Sequence, residues 1–263
     1  MDGGLPVILL GLFFGIQHAT DPDHVLAVAT IVSRTHRFGA GALIGAFWGL
    51  GHTATIATVG VAIIFLNLTI TPAVGLSMEL LVAAMLMALG ALRIAWVFRG
   101  ADPVPLPHLT EAHPHDDDAA FHSHPHAHGD AVHRHPHVHP PVRLLRALQT
   151  VGPAQALRSV LVGLVHGLAG SAAVALLVLS TIRGVHGALA YLLLFGVGTI
   201  LGMTAITALL SVPFAGHAPV LLRWRRALAV GTGVLSLGFG LYLAIQIGFV
   251  DGLFLGRPTW EPR

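Results

Sequence analysis

The chain has 263 residues, of which 54% are hydrophobic and only 10% charged, with a mean hydropathy of +0.77. Soluble domains carry about 25% charged residues, so this composition belongs to the membrane class. Cysteine is absent, which excludes disulfides and thiolate metal sites, and the formal net charge of +2 is too small to argue for a nucleic-acid partner.

A spanning helix needs about 20 mostly apolar residues. Six segments meet that demand: 5–32, 38–66, 73–97, 159–182, 187–214 and 227–250. The fold expected is an all-α polytopic membrane protein with six transmembrane helices. The first segment runs into polar residues rather than into a small-residue cleavage site, so a cleavable signal peptide is not expected. All 14 cations are arginine. Eleven of them fall in or beside the connections one–two, three–four and five–six, while only Arg183, Arg257 and Arg263 lie on the other side. The positive-inside rule then places both termini outside and the long three–four connection in the cytoplasm. A bacterial cytoplasmic (inner) membrane is the expected location.

The first segment carries the densest chemistry: His18-Ala19-Thr20-Asp21-Pro22-Asp23-His24. His18 lies about 20 Å along the helix from Leu5 at 1.5 Å per residue, well inside a hydrocarbon core of about 30 Å. Charged groups at that depth cost roughly 2.5–3.5 kcal/mol each. A divalent cation satisfies two imidazoles and two carboxylates together. A re-entrant cap or a polar packing network is the competing account. On a straight helix Asp23 points nearly opposite His18. Pro22, however, disfavours helical backbone at Asp21 and removes a backbone donor. The helix should break there, with Asp21 capping a second half that starts on Pro22.

Segment two places His52 among Gly49, Gly51 and Thr53, and segment four places His166 between Val165 and Gly167. These two histidines relate to an internal repeat. Gly15-Ile16-Gln17-His18-Ala19 matches Gly163-Leu164-Val165-His166-Gly167 at an offset of 148, and Leu50-Gly51-His52-Thr53-Ala54 matches Leu201-Gly202-Met203-Thr204-Ala205 at 151. Two copies of three helices each must be inverted in the membrane, a plan in which binding sites sit between the repeats. The units are 1–100 and 143–263, separated by 101–142. Met203, the mate of His52, is expected to be core filler. Gln17, Ser171 and Thr204 are candidates to support the site. Glu79 and Arg93 are expected to pair or to reach the interface, and His186 and His217 to lie near helix ends.

The connection 101–142 contains eleven histidines among Pro, Asp and Ala. With few aliphatic side chains it should be disordered. Its composition suits concentrating, buffering or sensing a borderline metal ion.

The string His18 to Ser33, with the Asp23-His24 pair five residues on from His18, resembles the signature of the nickel/cobalt permease superfamily and in particular its urease-operon accessory permeases. Gly49-Leu50-Gly51-His52-Thr53 is similar to the second signature of that superfamily. The resemblance implies nickel or cobalt transport with the His/Asp cluster as selectivity site. The later Asp-Thr motifs of the eight-helix permeases have no counterpart here. Metal ligands expected from residues, repeat and resemblance together are His18, Asp21, Asp23, His24, His52 and His166. The lack of thiolate and the imidazole-rich set suit nickel, cobalt, zinc or copper.

The expected function is secondary transport of a divalent transition-metal cation, Ni2+ or Co2+, inward, with no prosthetic group and no catalysis. Efflux is one alternative. A membrane metal sensor, or an accessory protein for a metalloenzyme such as urease, is another. The expected partners are the metal ion and the lipid bilayer. A homo-oligomer, and a metallochaperone meeting the His-rich loop, are compatible with the sequence.

Overall fold

The computed structural model describes residues 4–32, 38–66, 70–99, 121–128, 131–138, 151–167, 182, 184–215 and 219–260. Its helices are α1 (Gly4–His18), α2 (Pro22–Val32), α3 (Phe38–Leu66), α4 (Pro72–Phe98), α5 (Pro153–His166), α6 (Val185–Ala215) and α7 (Pro219–Ile245). A π-helical turn, Gln246–Val250, continues α7. Four stretches are long and apolar enough to cross a membrane: Phe38–Leu66, Pro72–Phe98, Val185–Pro213 and Arg226–Val250.

Proline sets the start of several helices. Pro22, Pro72 and Pro153 each occupy the first turn, where a missing N–H costs nothing. In the first apolar segment the consequence is large. The chain leaves α1 at His18, turns through Ala19–Asp21 and restarts at Pro22, with the Asp21 carbonyl accepting from Val25 N at 3.0 Å. The break expected at Pro22 is therefore present. The two halves, 15 and 11 residues long, are each too short to span alone.

The bundle is organised around α6. Its most apolar window is 50% buried, against 28% or less in the other three spanning helices. It packs against α1 on one side and α3 on the other, α3 in turn packs against α5, and α4 pairs with α7. The main core joins Ala19, Ala27, Val28, Val32, Ile44, Trp48, Val82, Leu86 and Met203. Met203 is thus the core filler expected. Outward-facing Phe13, Phe65, Leu193, Leu209 and Val250 are largely exposed. In a bilayer these are the surfaces that meet acyl chains.

Glycine lets the helices approach to backbone contact. A Cβ on Gly51 of α3 would run into the Val160 carbonyl of α5, and one on Gly163 of α5 would run into the Trp48 carbonyl of α3. Small residues at such crossings are the normal means of tight packing where lipid offers no hydrophobic drive. Buried Ser236 of α7 donates across to the Leu86 carbonyl of α4 at 2.9 Å.

Glu79 accepts a hydrogen bond from the Trp260 indole at 2.7 Å, so the C-terminal segment is tied to α4. Arg93 is buried rather than reaching outward.

Within the connection expected to be disordered, β1 (Phe121–His128) and β2 (Ala131–Val138) form an antiparallel pair. This differs from the disorder expected of 121–138, whereas the candidate membrane spans are all helical, as expected. The missed signal is the alternation His122, His124, His126, His128 and His133, His135, His137 about Gly129-Asp130. Period-two patterning around a Gly-Asp dipeptide is a hairpin pattern, and an interstrand ladder satisfies backbone groups without a hydrophobic core. The remainder of 101–142, residues 168–181, Ser171 and His217 lie outside the described residues.

Candidate metal centre

The break in the first apolar segment creates the site. His18 is the last residue of α1, Asp21 lies in the turn, and Asp23 and His24 open α2. His52 stands midway along the 29-residue α3. His166 ends α5, with Gly167 as its C-cap. Two helix C-termini, those of α1 and α5, therefore lie at the cluster. Their partial negative charge favours a cation.

The turn brings together what a straight helix would separate. His18 Nε2 and His52 Nε2 are 2.8 Å apart. That approaches the roughly 3 Å between two nitrogens held at right angles about 2.1 Å from one ion. His18 Nδ1 faces Asp21 Oδ2 at 3.0 Å. A carboxylate on the far nitrogen fixes the ring's orientation and tautomer, as around many metal-bound histidines. The Asp21 carboxylate is thus directed to His18. Asp23 reaches two rings: its Oδ1 is 2.9 Å from His24 Nδ1 and its Oδ2 is 3.0 Å from His166 Nε2. Asp23 Oδ1 also accepts from the His24 backbone N–H at 2.9 Å.

His24, His52 and His166 have no solvent exposure, and His18 is 6% exposed. Among the described residues, four buried imidazole nitrogens have no hydrogen-bond partner: His24 Nε2, His52 Nδ1, and both nitrogens of His166. The His166 Nε2 contact with Asp23 is close but not aligned as a hydrogen bond. A buried polar atom left unsatisfied costs about 1–3 kcal/mol. A bound cation would offset that cost for the nitrogens directed at it.

The ligand atoms group as two triads, His18/His24/His52 and Asp23/His24/His166, each with all its atoms within 4.8 Å of one another. All six ligands expected from the sequence are in this neighbourhood, with Asp21 at its edge and one-third exposed. The supporting candidates fare differently. Gln17 is exposed, with its carbonyl accepting from Thr20, and the Thr204 hydroxyl is bonded back to the Ile200 carbonyl. Sequence reasoning missed two aromatic walls. Trp48 lies 5.4 Å from both His24 and His166, and Phe195 lies 5.5 Å from His18. Trp48 was visible as the residue one helical turn before His52; Phe195, from a distant helix, carried no local signal.

A broken helix, buried imidazoles from three apolar segments and four long apolar helices define a polytopic membrane protein with a candidate divalent-metal centre. No family model and no solved structure matches the chain. Among known proteins, the urease accessory protein UreH of Bacillus sp. (strain TB-90) is 35% identical over 250 residues, covering 95% of each chain. The chain belongs to the family of urease accessory protein UreH, which is consistent with the resemblance to the nickel/cobalt permease superfamily.

Proposed function

We propose that this protein is a secondary carrier that moves a divalent transition-metal cation, nickel or cobalt, into the cell across the cytoplasmic membrane. The observation that carries the proposal is the convergence of four buried histidines and Asp23 from three separate apolar segments. The set is all nitrogen and oxygen, which suits borderline ions such as Ni2+ and Co2+. An inward divalent ion gains about 4.6 kcal/mol per 100 mV, at about 2.3 per charge. That supports accumulation of about three orders of magnitude without a nucleotide.

The architecture we assign is six spans in two inverted triplets. The α1–turn–α2 unit is the first span, and α5 belongs to the fourth, the rest of which lies outside the described residues. Helix packing supports this. Exchanging the triplets turns the α1–α6 contact into the α5–α3 contact and maps α3–α6 and α4–α7 onto themselves. The glycine crossings agree with the first match but shift the second by one helical turn, pairing Gly51 with Gly198 rather than with Gly202: Gly51 meets the Val160 carbonyl and Leu164 N, while Gly198 meets the Leu12 carbonyl and Ile16 N. Residues 12 and 160, and 16 and 164, share the 148-residue offset of the sequence repeat. Rocking one triplet against the other would expose the centre alternately to the two sides.

His18→Ala and His24→Ala should each abolish accumulation of radiolabelled nickel in cells, with the protein still reaching the membrane. Accumulation at the wild-type level in both would refute the carrier reading. The relative's name supports a second reading, in which the bound metal serves urease maturation without net flux. Metal uptake into proteoliposomes containing only this protein separates the two.

A further inference from the structure

The two triads are not equivalent, and their difference concerns how an ion moves rather than whether it binds. His24 is common to both. Its ring lies 4.5 Å from that of His18 and 4.3 Å from that of His166, whereas the rings of His52 and His166 are 6.0 Å apart. His24 is the hub, with Nδ1 directed at the Asp23 carboxylate and Nε2 buried without a hydrogen bond. Two divalent ions sharing one imidazole at this spacing would repel strongly in a buried site. The triads therefore describe alternative positions for one ion.

Their origins along the chain differ as well. His18, His24 and His52 all come from α1, α2 and α3, on the N-terminal side of the histidine-rich connection. Asp23 and His24 come from the same side, but His166 comes from α5, beyond that connection. The first triad is complete within the N-terminal half. The second is completed only when α5 stands where it does here. Movement of one half past the other makes or breaks the His166 ligand and leaves the first triad intact.

We propose that the ion is first held by His18, His24 and His52 and is then handed across His24 to Asp23 and His166, so that His166 is the switching ligand that couples ion movement to the motion of the halves. This rests on the carrier reading and specifies its internal step. No covalent bond changes; the ion exchanges the His18 and His52 nitrogens for an Asp23 oxygen and a His166 nitrogen while His24 remains in contact. Asp21, a carboxylate one-third exposed, faces His18 of the first triad, whereas the second triad has no such exposed neighbour among the contacts described.

The test uses the full chain purified in detergent, with the histidines of 101–142 replaced by asparagine in every sample so that only the buried centre is counted. Ni2+ binding is measured by isothermal titration, and Ni2+ flux in proteoliposomes. His166→Ala, and the space-conserving His166→Gln, should still bind one ion through the first triad. Affinity should fall by no more than about 10–100-fold, while flux is lost. His52→Ala should likewise keep one ion, now in the second triad, and lose flux. His24→Ala should lose both. If His166→Gln and His52→Ala each abolish binding, the centre is one indivisible site and the hand-off is overturned, with the carrier reading intact. If His166→Gln transports at the wild-type rate, the switching role is overturned. Failure of the unsubstituted centre to move Ni2+ would instead overturn the carrier reading itself.

Discussion

Gly163→Ala tests the link between helix packing and the metal centre. Gly163 lies on α5 one turn before His166 and faces α3 beside Trp48 and His52. A Cβ there would sit 2.9 Å from Trp48 Cδ1 and 3.0 Å from His52 N, and closer still to the Trp48 carbonyl. Backbone cannot swing aside as a side chain can, so α5 must move away from α3 by on the order of 1 Å, at a cost typical of overpacking, about 1–3 kcal/mol. His166 ends the same helix and moves with it. The 3.0 Å contact between its Nε2 and Asp23 opens, and a misplacement of about 1 Å in a positioned group can cost about a hundredfold in rate. Nickel flux in proteoliposomes should fall at least tenfold, with a lowered unfolding temperature in detergent. Gly231→Ala on α7 is the control. Nothing lies within 4 Å of its added Cβ, so the exchange should be neutral or stabilising by up to about 1 kcal/mol. Wild-type flux and unchanged stability in Gly163→Ala would refute the close-packing argument.

Asp23→Asn keeps the shape of the carboxylate but removes its charge between His24 and His166. Nickel affinity by titration should drop by about tenfold or more, because the amide is a poorer ligand and leaves the cation uncompensated. Imidazole binds metal only when neutral, so binding releases protons and acidification opposes it. Nickel affinity in detergent should therefore weaken steadily as pH falls, and a pH-independent affinity would argue against histidine ligation. Ser236→Ala removes the buried α7–α4 hydrogen bond to the Leu86 carbonyl. Interhelical bonds of this kind are worth about 0.6 kcal/mol on average, so a small loss of stability with normal nickel flux is expected.

Much of the fold was legible because the membrane imposes simple demands. Segment 38–66 coincides with α3, and 73–97 differs from α4 by one residue at each end. An apolar run bounded by breakers leaves little freedom in lipid, where each backbone polar group must bond within the helix. The same logic failed in the histidine-rich connection. Low hydrophobicity argued for disorder, and the alternation that pairs Phe121–His128 with Ala131–Val138 was overlooked.

The opening motif shows where local information ended. Composition placed the chain in a membrane, and Pro22 dictated a broken first helix with His18 and His24 on either side of the break. Those outcomes depend on neighbouring residues and on solvent, both written in the linear chain. Which groups complete the centre does not. His52 meets His18 because α3 closes on the break, and His166 meets Asp23 because Gly51 and Gly163 let α5 press against α3 at backbone distance. Likewise, only packing divides five candidate ligands into two triads joined at His24. Candidate ligands are named by residue types and spacing; their geometry is set by helix crossings between residues 34 positions apart for His18 and His52 and more than a hundred apart for Asp23 and His166.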